Sequence, residues 1–145
     1  MKSTLLLFSA FLLVLASCKK DGADDGGGSG CTTNVASVSG KYKITAMKYK
    51  QTPTSAEIDM FGALNDCEKD DLTILNSNGT LMLQDAGTTC SPTTAYSSTW
   101  SLGSGTIVIN GKLGIIDNFD CDILTVSTSG IFVAGDKLTV TYDKQ

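Results

Sequence analysis

From Gly40 onward the chain alternates apolar and polar residues with a period of two, the signature of strands that bury one face. The stretch from Lys41 to Lys50 puts Tyr42, Ile44 and Ala46 on one such face. Leu72 and Ile74, then Leu81 and Leu83, repeat the pattern on either side of Ser77-Asn78-Gly79. Asn-Gly between alternating runs predicts a tight hairpin, because both residue types tolerate positive φ. Further strands are predicted over Ala95–Leu102, Thr106–Asn110, Leu113–Asn118, Asp122–Thr128 and Ile131–Asp143, with Gly, Asn and Ser turns between them. Eight strands with short connections predict an all-β fold, an eight-stranded antiparallel up-and-down barrel or a sandwich. One segment departs from the alternation. Thr54-Ser-Ala-Glu57 follows Pro53 and fits a capping box, which predicts a short helix through about Leu64, between the first and second strands.

The N-terminal pattern is different. Lys2 is followed by an almost wholly apolar run from Leu5 to Ala16, twelve residues long. A bilayer-spanning helix needs about 20 residues, so the run reads as the hydrophobic region of a secretory signal at 1–17. Leu15-Ala16-Ser17-Cys18 resembles the lipobox of bacterial lipoproteins, in which the cysteine becomes the lipidated first residue of the mature chain. An ordinary signal peptide with a cysteine beside its cut site is the alternative. The resemblance implies a membrane partner reached through acyl chains (palmitate among them) on Cys18, and more than one chain gives stable anchoring. Residues 19–30, Lys-Lys-Asp-Gly-Ala-Asp-Asp-Gly-Gly-Gly-Ser-Gly, contain no large apolar side chain. As a flexible coil such a tether spans roughly 20 Å. Its acidic cluster also resembles export signals that put Bacteroidota-type lipoproteins on the outer face of the outer membrane; a plain spacer is the other reading. The expected organisation is a signal peptide at 1–17, lipidated cysteine and linker at 18–30, and one folded domain at 31–145.

Charge narrows the function. Loss of 1–17 removes Lys2 and no acid, leaving 10 lysines against 15 carboxylates, a net charge of −5, with no arginine and no histidine anywhere. An acidic chain without the bidentate phosphate binder is not built for nucleic acid. The same absence excludes Ser-His-Asp and Cys-His catalysis and histidine-ligated zinc. Glu68, Asp70 and Asp71, and Asp117, Asp120 and Asp122, form two acidic clusters without the order of a calcium loop, and read as solvated turn carboxylates. No metal, cofactor or catalytic set is expected, and the chain is not expected to be an enzyme.

With Cys18 assigned to lipid, Cys31, Cys67, Cys90 and Cys121 remain, an even number in an exported chain. Cys67 and Cys90 flank the Asn78-Gly79 hairpin, whose outer ends must lie close, so they pair. Cys31 then pairs with Cys121.

Several short stretches together resemble the lipocalin-like domain of bacterial lipoproteins: Gly40-Lys41-Tyr42-Lys43-Ile44, Cys67-Glu68-Lys69-Asp70-Asp71-Leu72, Asn78-Gly79-Thr80-Leu81, Ser98-Thr99-Trp100-Ser101-Leu102, and Asp136-Lys137-Leu138-Thr139-Val140-Thr141-Tyr142. The resemblance covers roughly residues 36–144. It implies an eight-stranded calycin-like barrel. The Gly-x-Trp of broader lipocalins appears as Gly40-Lys41-Tyr42, and their late-strand arginine has no counterpart.

An eight-stranded barrel either fills with side chains or holds one small ligand. Tyr42, Ile44, Leu83, Trp100 and Ile107 are candidate ligand-binding residues, together with Ile109, Leu124, Val126, Val140 and Tyr142. Leu72, Ile74 and Leu81 join them on the predicted inward face. The expected function is a carrier or sensor of a small hydrophobic ligand. The alternative is a solid-core subunit that contacts a cell-surface protein through loops 51–70 and 85–95.

Overall fold

The structure, a computed structural model, describes residues 31–145. The predicted signal peptide, lipid attachment at Cys18 and linker lie outside the described residues. Nine strands follow in chain order: β1 (Gly40–Lys50), β2 (Ile58–Asp59), β3 (Leu72–Leu75), β4 (Thr80–Gln84), β5 (Tyr96–Leu102), β6 (Thr106–Ile109), β7 (Lys112–Phe119), β8 (Ile123–Ser129) and β9 (Lys137–Lys144). Each of β3 to β9 pairs antiparallel with its sequence neighbour, and β9 returns to pair with β1 from Tyr42↔Lys144 to Lys50↔Lys137. The result is a closed eight-stranded up-and-down barrel, as the alternation predicts. The two-residue β2 adds only to the far end of β1.

Both disulfides pair as expected, Cys31–Cys121 and Cys67–Cys90, with Cα–Cα distances of 5.6 and 5.3 Å. The Asn78-Gly79 hairpin also forms. Gly79 has φ +84°, and its carbonyl accepts from the Trp100 amide at 2.9 Å.

Three expectations are corrected. The helix between the first two barrel strands is a single turn, α2 (Asp66–Lys69), and does not run from Thr54 to Leu64. The capping box that forms is the later one, in which the Asn65 amide donates to Glu68 Oε2 at 2.8 Å. Glu57 instead pairs with Lys48 at 3.0 Å, and Ile58 with Asp59 adds to β1. Second, Leu72 and Ile74 do not face inward. Tyr42 opposes Thr73 and Gly40 opposes Leu75, so Thr73 and Leu75 are the buried pair of β3. A bulge between Ile44 and Ala46 likewise moves Ala46 off the inner face and brings Met47 and Tyr49 in line with Val140 and Leu138. Third, Ile131–Gly135 is a loop and not the start of the last strand. The Asp136 carboxylate takes the amides of Ile131, Phe132 and Val133 at 2.8–2.9 Å, which curls the loop around it.

The strand ends define a floor, where β1 begins, and a mouth, where it ends. A helical turn, α1 (Val35–Val38), lies beneath the floor. Val38, Tyr42, Leu75, Leu81, Trp100 and Leu124 pack there, in one buried cluster that continues upward to Ile107 and Val126. The Tyr42 hydroxyl donates to the Val38 carbonyl at 2.7 Å, and Trp100 Nε1 to the Asn76 carbonyl at 2.8 Å, so the polar atoms of both aromatics are satisfied inside. Cys31–Cys121 ties the segment carrying α1 to the β7–β8 turn.

Candidate functional site: the open mouth of the barrel

At the mouth the interior is not filled. A pocket of about 130 Å³ is lined by Ile107, Ile109, Val126, Val140 and Tyr142, five of the residues expected from the sequence. Leu138, Gly114, Lys112 and Thr128 complete its wall. Gly114 faces inward opposite Ile107, and a Cβ there would fall 2.5 Å from Val126 Cγ1. A bare backbone at that position is therefore part of how the wall closes around the space.

A second pocket of about 150 Å³ lies on the β1–β3–β4 side of the same mouth. Ile44 and Leu83, also expected from the sequence, line it with Met47, Leu64 and Thr73. Its polar groups are the carboxylates Glu68 and Asp71 with Thr94. Those carboxylates already have donors. Asp71 accepts from the Ala86 amide at 3.2 Å and the Thr94 hydroxyl at 2.6 Å, and Glu68 from both nitrogens of Asn65 at 2.8 Å. The pockets are neighbours across the β1–β9 seam, where Ile44 pairs with Tyr142 and Met47 with Val140. The remaining candidates, Tyr42, Trp100 and Leu124, belong to the packed floor, so they support the pockets from below.

Three tyrosines around the interior have different polar surroundings. Tyr42 and Tyr142 meet edge to face at 6.4 Å, and burial pushes both phenols up to about 12, with Tyr96 adding to the effect at Tyr142. Tyr49 donates to Asp136 at 3.2 Å; burial raises its pKa, and the Asp136 charge and bond raise it further. Burial opposes ionisation of Asp136 more than any other single effect. The three amides and the Tyr49 hydroxyl together outweigh it and hold the carboxyl at about 2. Tyr142 has no hydrogen-bond partner among the described residues: burial and the charge of Tyr96, with no bond, account for its shift.

Beyond the mouth, the β8–β9 loop presents Phe132, 61% exposed, and Val133 to solvent, with Phe132 edge-on to Tyr49 at 5.3 Å. An open groove of about 520 Å³, lined mostly by polar residues, lies over the Cys67–Cys90 bridge between residues 65–68 and 90–94.

Sequence periodicity missed Leu138, although it continues the Val140, Tyr142 alternation. It missed Met47 because the bulge at Thr45 resets the phase of β1. Lys112 and Gly114 carry no apolar signal at all.

No family model matches the chain, and no curated protein or solved structure matches it either.

Proposed function

We propose that this chain is a lipid-anchored cell-envelope lipoprotein, lipocalin-like in character, whose barrel binds a small hydrophobic ligand at its open mouth. The observation that carries the ligand reading is the interior at the mouth, open over apolar side chains, whereas the space among Tyr42, Leu75 and Leu124 below it has no room for a water molecule; a separate hollow of about 230 Å³ lies at the floor between Val35 and Trp100. Small-molecule sites combine an apolar wall with a few polar groups in this way. Volume limits the guest. A dry cavity of about 150 Å³ holds benzene, and drug-sized sites span roughly 300–1,000 Å³, so each pocket fits a ring or a short alkyl chain. The anchoring reading rests on Leu15-Ala16-Ser17-Cys18. The described domain begins at Cys31, bridged to Cys121 at the floor, so the mouth lies at the end of the barrel opposite the point where a Cys18 anchor would join.

Organic extraction of the natively purified protein, followed by mass spectrometry, tests ligand binding. A small apolar compound in stoichiometric amount is the expected result; a clean extract, together with no thermal stabilisation by any member of a small apolar panel, contradicts it. Metabolic labelling with a fatty-acid analogue tests the anchor. Label lost in Cys18→Ser supports it, and label absent from the native chain overturns it.

The second reading, a protein-contacting subunit at the cell surface, draws on the exposed Phe132 and Val133 and on loops joined by Cys67–Cys90. Cross-linking in intact cells would then trap one specific neighbour.

A further inference from the structure

The two sides of the mouth carry opposite chemistry. The β1–β3–β4 side offers carboxylates that are already hydrogen-bonded. The pocket on the β6–β9 side has no carboxylate in its wall, and its polar groups are the Lys112 ammonium and the Thr128 and Tyr142 hydroxyls. Lys112 opposes Ile109 on the inner face of the sheet, an uncommon position for a lysine on an alternating strand. It takes no part in an ion pair among the described residues, where Lys48, Lys69 and Lys137 hold Glu57, Asp66 and Asp117. Tyr142 is the second free donor. Its phenol lies inside the barrel with no described acceptor, whereas Tyr42 and Tyr49 donate to Val38 and Asp136. Tyr142 is half-buried and its hydroxyl is not sealed from water, so it is free to turn to an acceptor bound in the pocket. Two unused donors, one of them cationic, over an apolar wall define the guest by charge as well as by polarity.

Building on the ligand-binding reading above, we infer that this pocket takes an apolar monoanion, a short-chain carboxylate of about six carbons by its volume. The alkyl chain lies against Ile107, Val126 and Val140, and the carboxylate accepts from Lys112 and Tyr142. Lys112 is exposed at the rim, so water screens its charge and the gain is that of a surface ion pair joined to one hydrogen bond from half-buried Tyr142.

Three probes of matched length, hexanoate, hexanol and hexylamine, test this at pH 7 by ligand-detected NMR titration. Hexanoate is expected to bind at least about fivefold more tightly than hexanol, the ratio a pair worth about 1 kcal/mol gives, with hexylamine weakest. Lys112→Met and Tyr142→Phe should each lower that preference while hexanol binding persists, and thermal unfolding verifies that both variants fold. Hexanol or hexylamine binding as tightly as hexanoate, or a preference that survives both substitutions, overturns the anionic assignment and leaves the apolar pocket standing. Failure of all three probes to bind overturns the assignment and counts against the ligand reading beneath it.

Discussion

The hydroxyl of Tyr42 donates to the carbonyl of Val38 at 2.7 Å, with both residues fully buried. This bond joins the first barrel strand to the helical turn beneath it and closes the floor. Tyr42→Phe keeps the ring and removes the donor, leaving the Val38 carbonyl buried without that partner. The expected loss is about 1–3 kcal/mol in denaturant unfolding, without a change of fold by circular dichroism.

The bridges act at opposite ends of the barrel. Cys31–Cys121 closes a sequence separation of 90 and fixes the floor segment, and Cys67–Cys90 closes 23 at the mouth loops. On the loop-entropy account, replacing the first pair by serine costs up to about 4.6 kcal/mol and the second up to about 3.5 kcal/mol. Non-reducing peptide mapping should recover Cys67 joined to Cys90, and chemical denaturation of the two double variants should rank them in this order.

Stability should fall at both extremes of pH. The Asp136 carboxyl titrates at about 2 when folded against 3.8 as its ordinary value. The unfolded chain therefore binds more protons in that interval, so this contribution is complete above about pH 4 and is lost as pH falls toward 2. Tyr42 and Tyr142 titrate at about 12 against 10.0, so the folded state keeps protons the unfolded state has released. Their contribution is present below pH 10 and is lost between 10 and 12. Unfolding midpoints across pH should show both limbs. Asp136→Asn should flatten the acid limb, and Tyr142→Phe should weaken the alkaline one.

Gly114 tests the packing of the mouth wall. Its missing Cβ would sit 2.5 Å from Val126 Cγ1, with Thr128 Oγ1 at 3.2 Å. Gly114→Ala should cost about 1–3 kcal/mol from overcrowding, despite the higher strand preference of alanine. An unchanged midpoint would mean that β7 and β8 stand further apart at this point than the structure has them.

The barrel itself is legible because alternation, Asn78-Gly79 and Asn110-Gly111 act locally, and both Asn-Gly pairs sit in tight turns with positive φ at their glycines. What escapes local pattern is phase. Leu72 and Ile74 are more apolar than Thr73, yet the register against β1 buries Thr73, because Tyr42 opposite it fills the interior. The bulge near Thr45 cannot be read from side-chain types. The loop at 131–135 looks like strand because Ile131, Phe132 and Val133 are apolar. Its shape comes from one buried carboxylate at Asp136, an interaction invisible to periodicity. Seven of the ten candidate ligand residues reach a mouth pocket, Tyr142 among them, whereas Lys112, which carries no apolar signal, joins that wall only once the strands are assembled.

The most direct test of an open mouth above a packed interior is methyl NMR of the Ile, Leu and Val side chains during titration with hexanol. Saturable shifts at Ile107, Ile109, Val126, Leu138 and Val140, with Leu75, Leu81 and Leu124 unmoved, are the predicted result. Absence of saturable shifts at the mouth methyls, or shifts confined to exposed Val133, would contradict it.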